Sequence, residues 1–275
     1  MPARTPRRLA LAAVGQALAV VVLSPYLVML FTALKPAAEL RTTPPTLLPM
    51  TWQPGNLLAV LSDAAFQAWL RVSLVVAAAS TVLVLVAAVP AAYYTARHRF
   101  PGRAAFLFLV LVTQMFSPTA LVVGLYREFF ELDLINTYTA LVLTNAAFNL
   151  AFAIWILRAF FASIPREIEE AAAVDGCGRV RSLVGIVLPL SLPGIATAAI
   201  FAFIAAWNEY IVALTLMTDA ARKPLTVGIT TYVTAYVQHW NSLFAASLLA
   251  IVPVVVLFAL IERYLVGGLT AGSLK

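Results

Sequence analysis

Charged residues are scarce in this chain. They make up 11% of its 275 residues, whereas soluble domains carry about a quarter. Hydrophobic residues make up 63%, and a soluble chain of this length could not bury that much apolar surface. The composition therefore argues against a soluble enzyme and predicts that lipid forms part of the protein's surroundings.

Cysteine and histidine are nearly absent as well. The chain has one cysteine, Cys177, so an internal disulfide and a cysteine-based zinc site are both excluded. Its two histidines, His98 and His239, are far apart in the sequence. Two distant histidines do not predict a metal site.

Common catalytic motifs are also missing. No glycine-rich loop precedes any of the three lysines, so the G-x-x-x-x-G-K-[ST] pattern of ATP binding is absent. The chain also lacks G-x-S-x-G and H-E-x-x-H. We therefore expect this chain to be no enzyme and to bind no cofactor itself.

The net charge of +6 is spread over the ends of apolar stretches, which argues against a nucleic-acid partner.

Six apolar stretches are long enough to cross the hydrocarbon core of a bilayer, which takes about 20 residues. They cover approximately residues 9–34, 69–96, 104–126, 137–160, 186–216 and 242–266. Because alternating strand patterns are absent, the chain is predicted to be an all-α membrane protein with six transmembrane helices. We expect residues 1–275 to form a single transmembrane domain. The first stretch is too long for a signal peptide and is predicted to be retained.

Basic residues predict the orientation of these spans. Twelve of the 18 lysines and arginines lie at the two termini and in the second and fourth loops between spans. Loops rich in lysine and arginine stay on the cytoplasmic side. Both termini and the fourth loop, residues 161–185, are therefore expected to be cytoplasmic.

This fourth loop has the features of a stiff helical elbow. Ser163 is predicted to cap a helix whose first turn contains Pro165 and the acids Glu167 and Glu169. Gly176 is predicted to end that helix in a left-handed conformation.

A second short helix is predicted over residues 179–185, and the next span begins or kinks at Pro189. An amphipathic segment lying on the membrane is the alternative, but the acids of the loop would be repelled by an anionic leaflet.

The spacing of residues in the loop resembles the EAA loop of permease subunits of ABC importers. Glu170-Ala171-Ala172 is followed after three residues by Gly176, and after nine more by Ile186-Val187-Leu188-Pro189. Most of the chain is similar to one subgroup, the maltose-type carbohydrate permeases. The further matching segments are AYYTAR at 92–97, FPGR at 100–103, LINT at 134–137, WNEY at 207–210 and GGLTAG at 267–272.

The resemblance implies a role for the loop and a set of partners. Seven residues would couple the permease to its ATPase: Glu170, Ala171, Ala172, Asp175, Gly176, Leu188 and Pro189. The chain would be a multi-pass protein of the bacterial plasma (inner) membrane. It would pair with a second, different permease subunit and with two ATPase subunits that hold ATP and Mg. An extracytoplasmic solute-binding protein would deliver a sugar or oligosaccharide, with amino sugars or glycerophosphodiesters as the alternative.

Polar residues within the spans are candidates for the substrate pathway: Gln114, Asn145, Asn149, Asn208 and Glu209. Asn145 and Asn149 are four apart and share a helix face, where they line a pore or join helices. An ionisable residue inside a membrane indicates function. Glu209 is therefore expected to face a pore or a subunit interface, or else to reach water near the outer surface.

A secondary transporter that works without ATP is the rival interpretation. Such proteins usually contain inverted repeats with paired broken helices. The sequence shows no internal repeat, which favours the importer.

Overall fold

The computed structural model describes residues 6–234, 236 and 238–271, and this part of the chain is mostly helical. Within it, the only β pairing is one isolated antiparallel bridge between Val233 and Gln238. The longer helices are α1 (Pro6–Ala33), α3 (Ala64–Arg97), α4 (Arg103–Thr113), α5 (Pro118–Glu131), α6 (Tyr138–Ser163), α10 (Leu192–Trp207) and α13 (Trp240–Ala271). The shorter helices are α2 (Gly55–Ser62), α7 (Arg166–Val174), α8 (Arg179–Ser182), α9 (Leu188–Leu190), α11 (Ile211–Leu216) and α12 (Leu225–Gly228).

Four of the described helices are long and apolar enough to cross a membrane without a break. They are Leu11–Ala33, Ala64–Arg97, Tyr138–Ser163 and Trp240–Glu262. Two further candidates are pairs of helices bent by 94° and 78°. The predicted number of six spans is reached only when each bent pair counts as one span.

The span predicted at residues 104–126 is the first of these bent pairs. The helix stops at Thr113 and restarts at Pro118, with a bend of 94° between α4 and α5. Proline disfavours helical backbone in the residue before it, and Ser117 is accordingly extended. The helix is therefore not continuous through the predicted span, and Pro118 explains where the second helix starts.

The span predicted at residues 186–216 is also divided. Helical residues Arg179–Leu190 bend by 78° into α10 around Ser191, and α10 ends at Trp207, four residues before α11 begins. Pro193 has no N–H to donate to the preceding turn, which permits the bend. The sequence predicted that the span begins or kinks at Pro189. The observed bend lies two residues later, at Ser191.

The described residues form two compact units. One unit comprises those of Met1–Gln67 and Ile229–Val252, and the other those of Ala68–Gly228 and Pro253–Lys275. In the first unit the hydroxyl of Tyr232 donates a hydrogen bond to Asp63 over 3.1 Å. Burial, together with this bond to a carboxylate, raises the pKa of Tyr232 above its ordinary value.

The second unit is built around α3, α6 and α10. Small residues from all three helices are buried together: Ala88, Ala92, Ala146, Ala153, Ala198 and Ala202. At Gly194 a Cβ atom would lie only 2.4 Å from the ring of Phe160. Small residues let helices in membranes approach closely, so alanine and glycine set the spacing of this core.

The LINT segment at 134–137 joins two parts of the second unit through hydrogen bonds. Asn136 has a φ of +60°, which asparagine tolerates better than most residues. Its side-chain oxygen accepts hydrogen bonds from the backbone N–H groups of Thr218 and Asp219, over 2.8 and 2.9 Å. Thr137 then caps α6 by accepting from the N–H of Ala140. The segment thus ties the start of α6 to the chain that follows α11.

Candidate functional site

The elbow predicted at residues 161–185 is present. Its first helix, α7, carries Glu167 and Glu169 in the first turn and ends at Val174. Gly176 follows two residues later with a φ of +80°. The N–H of Cys177 donates to the carbonyl of Ala172 over 2.9 Å, and the N–H of Gly176 to that of Ala173 over 3.1 Å. These two bonds define a Schellman motif, which requires a left-handed residue at the glycine position. The prediction that Gly176 ends this helix in a left-handed conformation is confirmed.

The predicted cap at Ser163 is wrong. Ser163 is the last residue of α6, and its hydroxyl donates to the carbonyl of Phe160 over 2.8 Å. Pro165 forces extended backbone at Ile164, so α6 stops and α7 begins at Arg166, one residue beyond the proline. No side chain caps the start of α7.

The outer surface of the elbow combines exposed apolar and acidic side chains. Val174 is 89% exposed and Val180 is 76% exposed. Glu170 and Asp175 are exposed beside them. The elbow therefore presents both apolar and acidic side chains on its exposed surface.

A cluster of contacts joins the elbow to the end of α3. Arg97 and Glu169 form an ion pair with Nε and Oε1 2.6 Å apart, a charge contact whose N–H is not directed at the oxygen. The hydroxyl of Tyr93 donates to Glu169 over 2.5 Å. Arg97 also donates to the carbonyl of Ile164, and Arg166 donates back to the carbonyl of Arg97, each over 3.0 Å. We call these five residues the α3 clasp.

The ion pair at the centre of the α3 clasp is largely shielded from solvent, whereas Arg166 is exposed. The side chain of Arg97 is 8% exposed and that of Glu169 is 16% exposed. Removing one member of a buried ion pair costs about 3–5 kcal/mol, because the other charge is left without a partner. The elbow is therefore attached to α3 in addition to its covalent neighbours α6 and α10.

No contact of Tyr93 or Arg97 with the elbow was predicted from the sequence. Both lie in the AYYTAR segment, four residues apart, which places them on one face of α3. This four-residue spacing is the feature of the sequence that could have indicated that Tyr93 and Arg97 share a partner. The partner of that face, Glu169, could not be identified from the sequence.

The other predicted coupling residues lie in the elbow and in α9, which follows it. Ala172 is buried and Ala171 is exposed, so the two alanines face opposite sides of α7. Leu188 packs against the buried alanine-rich core, whereas Pro189 is exposed in α9. Before α9, residues Leu183–Val187 form a π-helical turn, a conformation often found at functional sites.

Comparison with known proteins shows which family the chain resembles. Residues 88–270 match the family described as binding-protein-dependent transport system inner membrane component. The sulfoquinovosyl glycerol transport system permease protein SmoH of Agrobacterium fabrum is 38% identical over 92% of this chain and 89% of its own. The trehalose/maltose transport system permease protein MalG of Thermococcus litoralis is 37% identical over 80% of each chain.

This chain belongs to that family. It is a multi-pass permease subunit of an ABC importer in the inner membrane, as the resemblance of the EAA spacing predicted. A bacterial ABC transporter involved in the import of alginate has the same fold, with a TM-score of 0.79 and 23% identity over 96% of this chain and 99% of the other. None of these relatives supports an ATP-independent transporter.

The five polar residues predicted along the substrate pathway are not gathered at one place in the permease. Asn145 and Glu209 line the same cavity of about 10 Å³, which has room for no more than one water molecule. Gln114 is exposed at the break after α4 and donates to the carbonyl of Phe148 over 3.2 Å. Asn208 is exposed after α10.

Asn145 and Asn149 bond within their own helix. The amide nitrogen of Asn145 donates to the carbonyl of Leu141 over 2.9 Å, and that of Asn149 to the carbonyl of Asn145 over 2.8 Å. These bonds use one donor of each amide and leave its oxygen available.

Glu209 holds the start of a short helix. Its two carboxylate oxygens accept from the N–H groups of Val212 and Ala213 over 2.7 and 2.9 Å, and its carbonyl accepts from the hydroxyl of Thr226 over 2.7 Å. Carboxylates are favourable at a helix N-terminus because they satisfy free N–H groups there. The carboxylate therefore bridges the gap that divides the predicted fifth span.

Replacing Glu209 with alanine should reduce the amount of assembled transporter and its uptake. Two N–H groups would lose their acceptor in a half-buried site, at about 1–3 kcal/mol each. Glu209→Gln should retain an intermediate level, because its amide oxygen still accepts. Thr215→Ala is the matched control, because it removes from α11 a hydroxyl that donates to the Ile211 carbonyl of the same helix. The check is uptake together with the yield of complex in membranes, and normal values for Glu209→Ala would contradict the capping role.

Proposed function

We propose that this permease forms half of the translocation pore of an ATP-driven importer for a sugar or oligosaccharide. The names of the relatives support this substrate class, since they describe sulfoquinovosyl glycerol, trehalose or maltose, and, for NgcG of Streptomyces coelicolor, diacetylchitobiose. NgcG is 32% identical over 93% of this chain and 85% of its own. An amino sugar falls within the same range of substrates, and glycerophosphodiesters remain the alternative.

The elbow would serve as the handle that an ATPase subunit moves. The observation that carries this role is the α3 clasp, because it makes the loop a rigid part of the helical unit rather than a free connection. Val174, Val180, Glu170 and Asp175 provide the exposed surface for docking. The seven coupling residues predicted from the EAA spacing fit this role through the elbow that they build.

An open pocket beside the α3 clasp would receive part of the ATPase. Its volume is about 230 Å³, and it is lined by Arg97, Arg166 and Arg179 as well as Glu169 and Glu170. Charged groups of both signs suit a polar side chain from a protein partner better than an apolar one. The pocket therefore adds a specific contact to the apolar surface of the elbow.

The complete transporter would contain four further components. A second, different permease would complete the pore, and two ATPase subunits would bind ATP and Mg on the cytoplasmic side. A solute-binding protein would deliver the substrate on the other side. This chain itself would bind no cofactor and act as one permease domain, with six spans and both termini in the cytoplasm.

In this arrangement the ATPases move the elbow and the elbow moves α3. ATP binding would close the two ATPase subunits and draw the two elbows together, and the pore would open outward. Because the α3 clasp fixes the elbow to α3, that helix would follow the movement. Hydrolysis would reset the transporter.

Uptake into proteoliposomes tests the proposal. The complex would be reconstituted with ATP enclosed on its ATPase side and the binding protein outside. We expect uptake of a radiolabelled disaccharide or amino-sugar disaccharide only when both ATP and the binding protein are present. Uptake of a glycerophosphodiester alone would establish the alternative substrate, and uptake without ATP would contradict the importer mechanism.

A further inference from the structure

The loop that follows α1 places its charges inside. Lys35 is 4% exposed and Glu39 is 8% exposed. The ammonium group of Lys35 donates to both the hydroxyl and the carbonyl of Thr46 and lies 3.9 Å from Glu39. Glu39 in turn accepts from the Thr46 hydroxyl over 2.8 Å and from the Met50 N–H over 3.0 Å.

The charge of Glu39 is stabilised in this position. Burial works against the ionised form, but the Met50 N–H, the Thr46 hydroxyl and the nearby Lys35 outweigh it and hold the pKa of Glu39 below its ordinary value. The charged pair thereby fixes residues 46–50 as a folded segment.

The same loop places large apolar side chains outside. Leu47 is 76% exposed, Met50 is 75% exposed and Trp52 is 56% exposed. Residues 42–62 contain no charged residue at all. A loop in water would show the opposite arrangement, with charges outside and large apolar groups inside.

Contacts from three residues fix this segment at the end of α1. The N–H of Gln53 donates to the carbonyl of Leu34 over 2.8 Å. The side-chain amide of Asn56 donates to the carbonyls of Ala33 and Lys35, each over 2.9 Å. The ring of Trp52 meets the ring of Phe31 edge to face, with 6.2 Å between their centres.

The C-terminal end of α1 is where this helix would leave the bilayer, because the apolar span Leu11–Ala33 ends there. The most apolar 18-residue window of this span contains no residue that is buried within this chain. Tryptophan is enriched at the boundary between hydrocarbon and headgroups, where one part of its ring is apolar and the other meets water. Trp52 would therefore lie at the boundary between hydrocarbon and headgroups. The exposed side chains of Leu47 and Met50 extend the exposed apolar surface of α1.

We propose that residues 47–52, which we call the outer wedge, are embedded in the headgroup and upper acyl region of the bilayer at the C-terminal end of α1. The partner is the lipid surface itself. A neutral wedge fits zwitterionic and anionic lipids alike, because it relies on apolar burial rather than on attraction between charges. The wedge would fix the depth and tilt of α1, and this role is independent of the substrate and of the ATPase.

Spin labelling can measure the depth of the wedge. The background carries Cys177→Ser, so that a cysteine introduced elsewhere is the only one in the chain. Met50→Cys and Leu47→Cys report the wedge, Leu18→Cys reports the lipid-facing middle of α1, and Arg41→Cys reports an exposed charged position in the same loop. The complete complex is reconstituted in phosphatidylcholine nanodiscs, and collisions of the label with oxygen and with a water-soluble nickel chelate are compared.

Oxygen dissolves in lipid and the nickel chelate does not. We expect labels at 47 and 50 to collide more often with oxygen than with nickel, at a depth between those at 41 and 18. More frequent collisions with nickel would place the wedge in water and overturn the proposal. Protection from both reagents would also overturn it, because it would show that a protein subunit covers the wedge.

Discussion

Replacing Arg97 with glutamine should lower ATP-driven uptake at least about tenfold while the transporter still assembles. The substitution removes the ion pair with Glu169 and leaves its carboxylate with the Tyr93 hydroxyl alone. A loss of about 3 kcal/mol, at the lower end for buried pairs, lowers the equilibrium constant between the clasped and the unclasped elbow about a hundredfold. The elbow would then move without carrying α3 with it.

The measurement is ATP hydrolysis and uptake in the same proteoliposomes. We expect hydrolysis to continue while uptake falls, which is uncoupling rather than loss of assembly. Arg99→Gln is the matched control, since Arg99 is an exposed arginine two residues away. Arg97→Lys should give intermediate uptake, because it keeps the charge but not the guanidinium geometry. Normal uptake by Arg97→Gln would show that the α3 clasp does not transmit force.

Gly176→Val should also uncouple hydrolysis from uptake while leaving membrane insertion intact. A Cβ atom at this position would meet open space, so the effect would come from the backbone alone. At a φ of +80° a β-branched residue costs on the order of 1–3 kcal/mol, and the chain would relieve this strain by opening the Schellman motif. The start of α8 would then shift relative to α7.

Gly178→Val provides a matched control for this substitution. Gly178 lies in the same loop and also has open space around its Cβ position, but its φ of −69° and ψ of 160° suit valine. Gly176→Asn should recover much of the activity, because asparagine tolerates the left-handed region. Equal coupling in Gly176→Val and Gly178→Val would contradict the role assigned to the motif.

Local rules explain why the elbow could be predicted from the sequence and why its start was misplaced. Gly176 follows a run of alanines and precedes a second helical segment, so the glycine stop depends only on neighbouring residues. The start depends on a choice between Ser163 as a cap and Ser163 as the last turn of α6. Pro165 keeps Ile164 extended, so Ser163 becomes the last residue of α6. The length of α6 is set by packing in the core.

Apolar length could not reveal the breaks within the predicted spans. The stretch at 104–126 is hydrophobic throughout, yet Pro118 divides it. At residues 208–210 the gap persists because Glu209 satisfies the free N–H groups of α11. Hydropathy measures transfer to lipid, whereas the bend angle depends on which backbone groups find partners.

The contacts of the α3 clasp could not be predicted from the sequence for a different reason. Tyr93 and Glu169 are 76 positions apart, and each has an ordinary local environment. Only the packing of α3 and α6 in the alanine-rich core brings the two helix ends together. Long-range pairs of this kind follow from tertiary structure rather than from motif spacing.

The central claim is that an ATPase subunit moves this permease through its elbow, and photo-cross-linking from Val174 tests it most directly. Val174 is 89% exposed, so a benzophenone side chain there reaches whatever covers the elbow in the assembled complex. The account predicts a cross-link to the ATPase subunit, at a yield that changes when ATP is bound. Cross-links to lipid or to the extracytoplasmic binding protein, with none to an ATPase, would contradict it.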